Sequence, residues 1–320
     1  MPQNEAAMIH RFIITADQAY HGILESSIPP VLTINDGDSV IFNTVMLHEG
    51  KLHADITYQE LINLRSEIAS RGNFFYAWTG PFFIKGAEPG DILEARIKRI
   101  VPGDYAVQYV HPDEKKLGGL PDGVGIKEGL VRPLYFSADK KSLEFTPGVT
   151  LPLRPFLGSM AVAPRPGEKC LPGVPDYFGG NMDNKELTAG TTLFLPVNVK
   201  GALFMAADAH AVQGDGESCG VAAETCFEEV EIEFIVRKDI KLERPMAETP
   251  AHWITMAFHE DLNEAMRIAL RDAVTFLSNA KGLNSEEAYR LCSLAVDFRV
   301  TQVVDGNKGI HGMIPKNIFT

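Results

Sequence analysis

Asp208 and His210 stand two residues apart in the stretch Asp208-Ala209-His210-Ala211-Val212-Gln213-Gly214-Asp215-Gly216-Glu217. On a strand this spacing turns both side chains to one side. Asp183, which closes Gly179-Gly180-Asn181-Met182-Asp183, offers a third donor. Two carboxylates and an imidazole can hold a divalent ion and leave a fourth position for water, as catalytic zinc requires. Zinc is the expected ion, and Mn²⁺ or Fe²⁺ would suit the same donors. Past the glycines, Glu217 is placed to act as general base and then to protonate a leaving group, with Glu224 as a second candidate. Gln213 offers hydrogen bonds to an amide. Gly214 and Gly216 let the backbone come close to a bound group, where N–H donors would steady an oxyanion. The plain alternative is a satisfied buried histidine among turn aspartates. The glycines and acids on both flanks argue for the site.

Other residues carry weaker signals. Glu88, in Gly86-Ala87-Glu88-Pro89-Gly90-Asp91, is held between turn-formers and could present one rigid carboxylate, the other candidate for the acid/base role. His48 and His53, near Glu49 and Asp55, form at most a second metal cluster; a surface loop is the preferred reading. The four cysteines (Cys170, Cys219, Cys226, Cys292) are irregularly spaced and read as reduced thiols rather than a disulfide frame. Neither a G-x-S-x-G elbow nor a Walker loop is present, which lowers serine-hydrolase and nucleotide-dependent readings.

The elements that must position these residues follow from the apolar pattern. Thr191–Val197, a Lys200-Gly201 turn and Ala202–Met205 read as a hairpin that would carry Asp183 towards Asp208 and His210. Asn35-Asp36-Gly37-Asp38 reads as another hairpin turn, leading into Ser39–Thr44. The Glu88–Asp91 turn leads in the same way into Ile92–Ile97, so the two are expected to be equivalent corners of one barrel or sandwich. Tyr58–Ala69 is the one helix expected in this half. The Gly118-Gly119 and Pro121-Asp122-Gly123 turns mark a loop-rich region, and the Pro- and Gly-rich run 151–180 reads as an ordered covering loop. Glu229–Val236 alternates strictly, with one face wet and one buried. Near the end, Asp261-x-x-Glu264 opens a helix as a capping box, with Gly282 as its stop. Asn284-x-x-Glu287 opens a second, with Leu291 and Leu294 inside, and a strand from Phe298 to Val304 follows. The class is mainly β, with barrel- or sandwich-like sheets and an α+β C-terminal portion. The expected domains are 1–150, a second β domain at 151–245 that carries Asp183, Asp208 and His210, and 246–320.

The chain has 320 residues, and 45% apolar with 22% charged residues is ordinary for a soluble globular protein. A net charge of -12 with no basic stripe argues against nucleic acid. Met1-Pro2-Gln3-Asn4-Glu5 shows no signal-peptide pattern, and no window reaches the roughly 20 apolar residues of a bilayer span, so the expectation is a cytoplasmic protein without a membrane partner.

Several stretches together resemble the acetamidase/formamidase family: Pro29–Ile34 with Gly37-Asp38, Thr79-Gly80-Pro81 through Gly86–Asp91, Gly180–Asp183, Asp208–Glu217, and Val303–Gly306 with Gly309–Lys316. The likeness covers nearly the whole chain in order. It implies a β-rich subunit that hydrolyses short amides such as formamide or acetamide to acid and ammonia, and a homo-oligomer of two or more copies. Asp183, Asp208 and His210 are the positions it suggests as metal ligands. Tyr20-His21-Gly22-Ile23-Leu24 departs from the family pattern, which leaves the particular amide open. Two other readings remain: a β-sandwich that binds a small ligand around a structural ion without turnover, and a related hydrolase with a different amide-like substrate.

Overall fold

A computed structural model describes residues 7–112, 119–120 and 124–319. The Gly118, Pro121-Asp122-Gly123 and Met1–Glu5 readings lie outside these residues. In chain order the strands begin with β1 (Ile9–Phe12), β2 (Leu32–Ile34), β3 (Ser39–Phe42), β4 (Thr79–Ile84), β5 (Ile92–Pro102), β6 (Tyr105–Val110) and β7 (Leu130–Tyr135). Next come β8 (Ser142–Thr146), β9 (Val149–Pro152), β10 (Phe156–Ala161), β11 (Gly179–Asn181), β12 (Thr192–Pro196) and β13 (Phe204–His210). The last are β14 (Glu224–Thr225), β15 (Phe227–Arg237), β16 (Met246–Glu248), β17 (His252–His259), β18 (Asp297–Gln302) and β19 (Lys308–Pro315). The α-helices are α1 (Tyr58–Ser70), α2 (Leu262–Lys281) and α3 (Ser285–Ala295).

Two open sheets carry most of the strands. One runs β1-β3-β15-β5-β12-β16-β17-β19-β18. The other runs β11-β10-β13-β14-β6-β7, with β4 paired to β13 and β2 to β4, and β8 and β9 form a separate hairpin. The sheets meet through aromatic rings. Phe82 and Phe204, from the eight-stranded sheet, pack on Phe42 and Phe234 from the nine-stranded one, with Phe204 and Phe234 centred 4.8 Å apart. Edge-to-face contacts of this kind are worth about 0.5–1.5 kcal/mol beyond the area they bury. The fold is therefore a sandwich. β15 shows how the pattern makes it: Phe227, Val230, Ile232 and Phe234 are buried, while Glu229 and Glu233 face outward to Arg11, Arg99, Arg96 and Lys98.

The Gly-Asp corners are equivalent, but they are not hairpins. β2 leads into β3 and β4 into β5, and each time the chain leaves the eight-stranded sheet for the nine-stranded one. Asn35 N–H donates to the Asp38 carboxylate and Glu88 N–H to that of Asp91, three residues on in both cases. Gly37 and Gly90 hold φ of 92° and 91°, which glycine adopts freely. The expected β12–β13 hairpin is also a crossing: the turn at Lys200-Gly201 is present, but β12 pairs with β5 and β16 while β13 pairs with β10, β4 and β14. Adjacent strands joined by a tight turn satisfy the local pattern either way, and only the inter-sheet core selects the crossing. The run 151–180 is a cover only in part: Leu171, Gly173 and Val174 line the cavity beside Asp208 and His210, but the start of the run is a strand. β10, within it, is a central strand, buried along its length. Strands from both sides of residue 150 interleave in both sheets and share one core, so that boundary separates neither sheets nor cores.

α1 starts where expected, at a capping box of Thr57 and Glu60. In α2, Asp261 accepts from Asn263 N–H and Glu264 N–H, and Gly282 ends the helix at φ 69°. The reciprocal arm is missing, because Asp261 N–H donates to His259 Nδ1. Asn284 and Glu287 do form the full box of α3. There Ala288 and Cys292 are buried and Leu291 packs beside them, whereas Leu294 is 82% exposed. Helices α2 and α3 pack on β17 and β19. Among the described residues no helix is long and apolar enough to cross a membrane.

Candidate active site

The site is built on β13 and its neighbours. Asp208 and His210 lie at the end of β13, both buried. β14 runs antiparallel beside it and sets Glu224 directly across from His210. On the other side is β10, whose register pairs Phe156 with His210, Leu157 with Ala209 and Ser159 with Ala207, so Gly158 faces Asp208. A Cβ on Gly158 would lie 2.6 Å from Asp183 Oδ1, 2.7 Å from Asp208 Oδ2 and 2.8 Å from His210 Cε1. The glycine is the floor of the site. Its carbonyl also accepts from the N–H groups of Met182 and Asp183, which brings Asp183 in from the end of β11.

Loops supply the remaining acids. Gly216 donates its N–H to Thr301 O and accepts from Val303 N–H, which stitches the loop carrying Glu217 to the end of β18. Gln302 Oε1 accepts from Val304 N–H and Asp305 N–H, turning Asp305 inward. Asn181 Nδ2 then bridges Asp183 Oδ2 (2.8 Å) and Asp305 Oδ2 (2.9 Å). Three of these acids adopt left-handed backbone: Asp183 at φ 49°, Asp208 at 61° and Glu217 at 44°. Each such conformation costs on the order of 1–3 kcal/mol and persists where the surroundings impose it, typically at functional sites.

The result is a cluster of four buried carboxylates and the half-buried Asp305 around one imidazole. His210 Nε2 is 3.3 Å from both Asp208 Oδ2 and Glu224 Oε2, and Nδ1 is 3.8 Å from Asp183 Oδ1. Asp183 Oδ1 and Glu224 Oε2 are buried without a hydrogen-bond partner. Two groups have the spacing of a metal site, Asp183–His210–Glu217 and Asp208–His210–Glu224. The electrostatics agree. Burial, then the Glu217 and Asp305 charges, push Asp183 well above the usual carboxylate range. Glu217 is likewise raised well above by burial and Asp305, and Glu224 is raised by burial and Asp208 against the opposing pull of His210. Asp305 rises to about 6, chiefly through burial. Burial works to lower His210, but the Glu224 and Asp208 carboxylates outweigh it and raise the imidazole well above its ordinary value. One imidazole cannot balance this many carboxylates, and orphaned carboxylate oxygens over a floor with no Cβ fit a divalent cation.

Gln213 acts within the protein. Its Nε2 donates to Asp183 O (2.9 Å), which fixes the amide's orientation and turns Oε1 to His210 Nδ1 (2.9 Å). Nδ1 must then carry the proton, leaving Nε2 to face Asp208 and Glu224. Because the Gly216 N–H is spent on Thr301, of the two glycines only Gly214 keeps an N–H without a backbone partner. Glu88 is not brought to the cluster: it lies exposed on its corner, 3.8 Å from Lys200. His48 and His53 form no metal group among the described residues. His48 is buried against Arg65, and Glu49 pairs with Arg71 and Asn73. All four cysteines are free. Sequence reasoning missed Gly158 and Asp305, since one looked like a glycine in a loop and the other like the first residue of an Asp-Gly turn.

A cavity of about 260 Å³ opens over the cluster, with Asp208, His210, Glu217, Glu224 and Asp305 on one side and Arg65 in its wall. A sandwich holding buried acids around a histidine beneath such a cavity defines a hydrolase-like centre. The sequence pattern of the Acetamidase/Formamidase family matches residues 10–171 and 165–320, and the chain belongs to that family of amidases. An acetamidase from Yersinia enterocolitica is 27% identical and superposes with a TM-score of 0.87, covering 99% of this chain and 94% of that one. For an acetamidase from Bacillus halodurans the values are 28% and 0.84, covering 96% and 98%. A Schizosaccharomyces pombe protein named provisionally as a formamidase is 26% identical over 259 residues, 62% of this chain and 59% of its own length, so the match spans less than two thirds of that relative.

Proposed function

We propose that the protein hydrolyses the C–N bond of short aliphatic amides, of the formamide or acetamide type, to carboxylate and ammonia at the His210 cluster. The observation that carries this reading is the Gln213 clamp, which keeps a proton on His210 Nδ1 and turns Nε2 towards two carboxylates. In this arrangement Asp208, His210 and Glu224 are the residues that would hold a divalent ion, zinc foremost, with Asp183 next to them. A bound ion would lower the pKa of water towards about 7 and polarise the amide carbonyl. His210 Nε2, which carries a proton between the acids, would give it up to bind such an ion.

The chain's own residues supply the rest. Glu217, facing the cavity, takes the proton from the attacking water and returns it to the amide nitrogen as the C–N bond breaks. An amine leaves far more readily than an amide anion, so this second transfer is the step that needs an acid. Asp183 and Asp305, bridged by Asn181, form a carboxyl pair that keeps a proton close to Glu217. Assembly into a homodimer or larger unit and a cytoplasmic location are part of the same proposal.

Ammonia release from formamide, acetamide, propionamide and urea, before and after chelation and zinc add-back, tests the reading. Turnover of a short amide that chelator abolishes and zinc restores is the expected result. Chelator-insensitive turnover would remove the metal, and silence across the panel would remove the substrate class.

A further inference from the structure

Arg65, on α1, lines the same cavity as the acid cluster and is not used by the reaction above. Three neutral groups hold it. Its Nη1 donates to His48 Nε2 at 3.1 Å, the Tyr109 hydroxyl lies close enough to favour its charge, and its Cζ lies 3.8 Å over the ring of Phe75. Burial and the Arg65 charge keep His48 well below its ordinary pKa, so the imidazole is a neutral acceptor. No carboxylate among the described residues lies within ion-pair distance of Arg65, although most of the chain's other arginines have one. A largely desolvated guanidinium is normally paired, because taking the charge out of water is costly. Here the supports fix its orientation and leave its charge and part of its donor fork to the cavity.

Resting on the amidase reading above, we propose that Arg65 is a specificity residue that binds a carboxylate at the far end of the substrate, so that the preferred substrates are monoamides of short dicarboxylic acids. Size and polarity of the cavity support this class. Acetamide has four heavy atoms, and one liquid water takes about 30 Å³, so 260 Å³ leaves most of the space empty around a two-carbon amide. The wall around Arg65 includes Leu47, Phe74, Phe75, Leu171 and Val174, which suit a short methylene spacer. The acids repel an anion, so the carboxylate must lie at Arg65 and the amide at His210. A planar guanidinium suits a carboxylate in particular, since it can donate two parallel hydrogen bonds.

The test compares succinamate with 4-methylpentanamide, its neutral counterpart of the same size and shape, by ammonia release. The wild-type protein is expected to favour succinamate by about 10–100-fold in kcat/KM, the scale of a charge-assisted hydrogen bond. In Arg65→Met that ratio falls towards one through KM, and Arg65→Lys retains part of it; circular dichroism checks that both fold. A wild-type ratio near one, or a ratio unchanged in Arg65→Met, overturns the proposal. The wild-type ratio decides the matter even where a variant does not fold. Calorimetry of the corresponding acids, succinate against 4-methylpentanoate, separates this inference from the amidase reading. If no amide is turned over but succinate binds more tightly in an Arg65-dependent way, the amidase reading falls and the Arg65 site stands. If short amides are turned over and neither pair is distinguished, Arg65 is a structural residue and the amidase reading stands.

Discussion

Asp38 and Asp91 sit at the corners where the chain leaves one sheet for the other, while Asp183 and Asp208 sit where β11 ends and β13 is about to end. All four lie in Gly-containing stretches and all are buried. Their partners differ. Asp38 accepts from Met8 N–H, Asn35 N–H and His10 Nε2, and Asp91 from Glu88 N–H and the Lys238 ammonium. Burial tends to raise both corner carboxyls, but these donors outweigh it and hold them below the usual range. Asp183 meets other carboxylates instead, on a left-handed backbone, and is driven upward. Saturated acids at the corners stabilise the sandwich. Crowded acids at the strand ends store unfavourable charge that a cation can relieve, so the same residue type is saturated in one place and, in the proposed reading, left to hold an ion in the other.

The largest effect that would sharpen this contrast is expected from His210→Ala. It should lower kcat/KM by about 10³-fold or more, the several kcal/mol that a bound ion contributes to the transition state, and elemental analysis should show the metal lost with it. A variant that kept both would break the comparison at its centre. Gly158→Ala comes next. Its new methyl cannot fit without moving Asp183, Asp208 or His210, and a displacement near 1 Å costs about 10²-fold in activity. Full activity would mean that the floor is not packed against the catalytic groups.

At the corners the expected loss is in stability. Asp38→Ala leaves buried N–H groups unpaired and should cost about 1–3 kcal/mol in denaturant unfolding with kcat unchanged. The sign of its pH dependence follows from the depressed carboxyl. Its contribution is complete above the ordinary aspartate pKa of about 3.9 and is lost as pH falls through the lower folded value, so the variant should show a shallower acid limb. The smallest effect belongs to Glu88→Gln, which should change activity less than about twofold because Glu88 is exposed and away from the cluster. A large loss there, measured as ammonia release, would return it to the acid/base role.

How much of this was legible can be judged from particular residues. Asp208, His210 and Asp183 were found because D-x-H on a strand has a fixed directional consequence and because glycine-flanked acids are unusual in apolar strands. Glu217 was found on the same grounds, and the equivalence of the two Gly-Asp corners was visible as a repeated turn pattern. Glu224 was underrated because its value comes from lying opposite His210 across a ladder, and register is a property of strand pairing. Gly158 and Asp305 stand 52 residues before His210 and 95 after it; nothing local marks Gly158, and the Asp305-Gly306 pattern reads only as a turn.

The sequence by itself determined the strand and helix alternation, the N-cap residues of the two C-terminal helices, the corner turns and the family. All of these depend on contacts within a few residues or on patterns that short windows contain. Tertiary structure decided which strands share a sheet, that β12 and β13 part rather than pair, and that acids from four separate segments meet over one glycine. It also decided which of the acids would be saturated and which crowded. Charge in a folded protein depends on what lies within a few ångströms, and in a sandwich those neighbours come from distant parts of the chain.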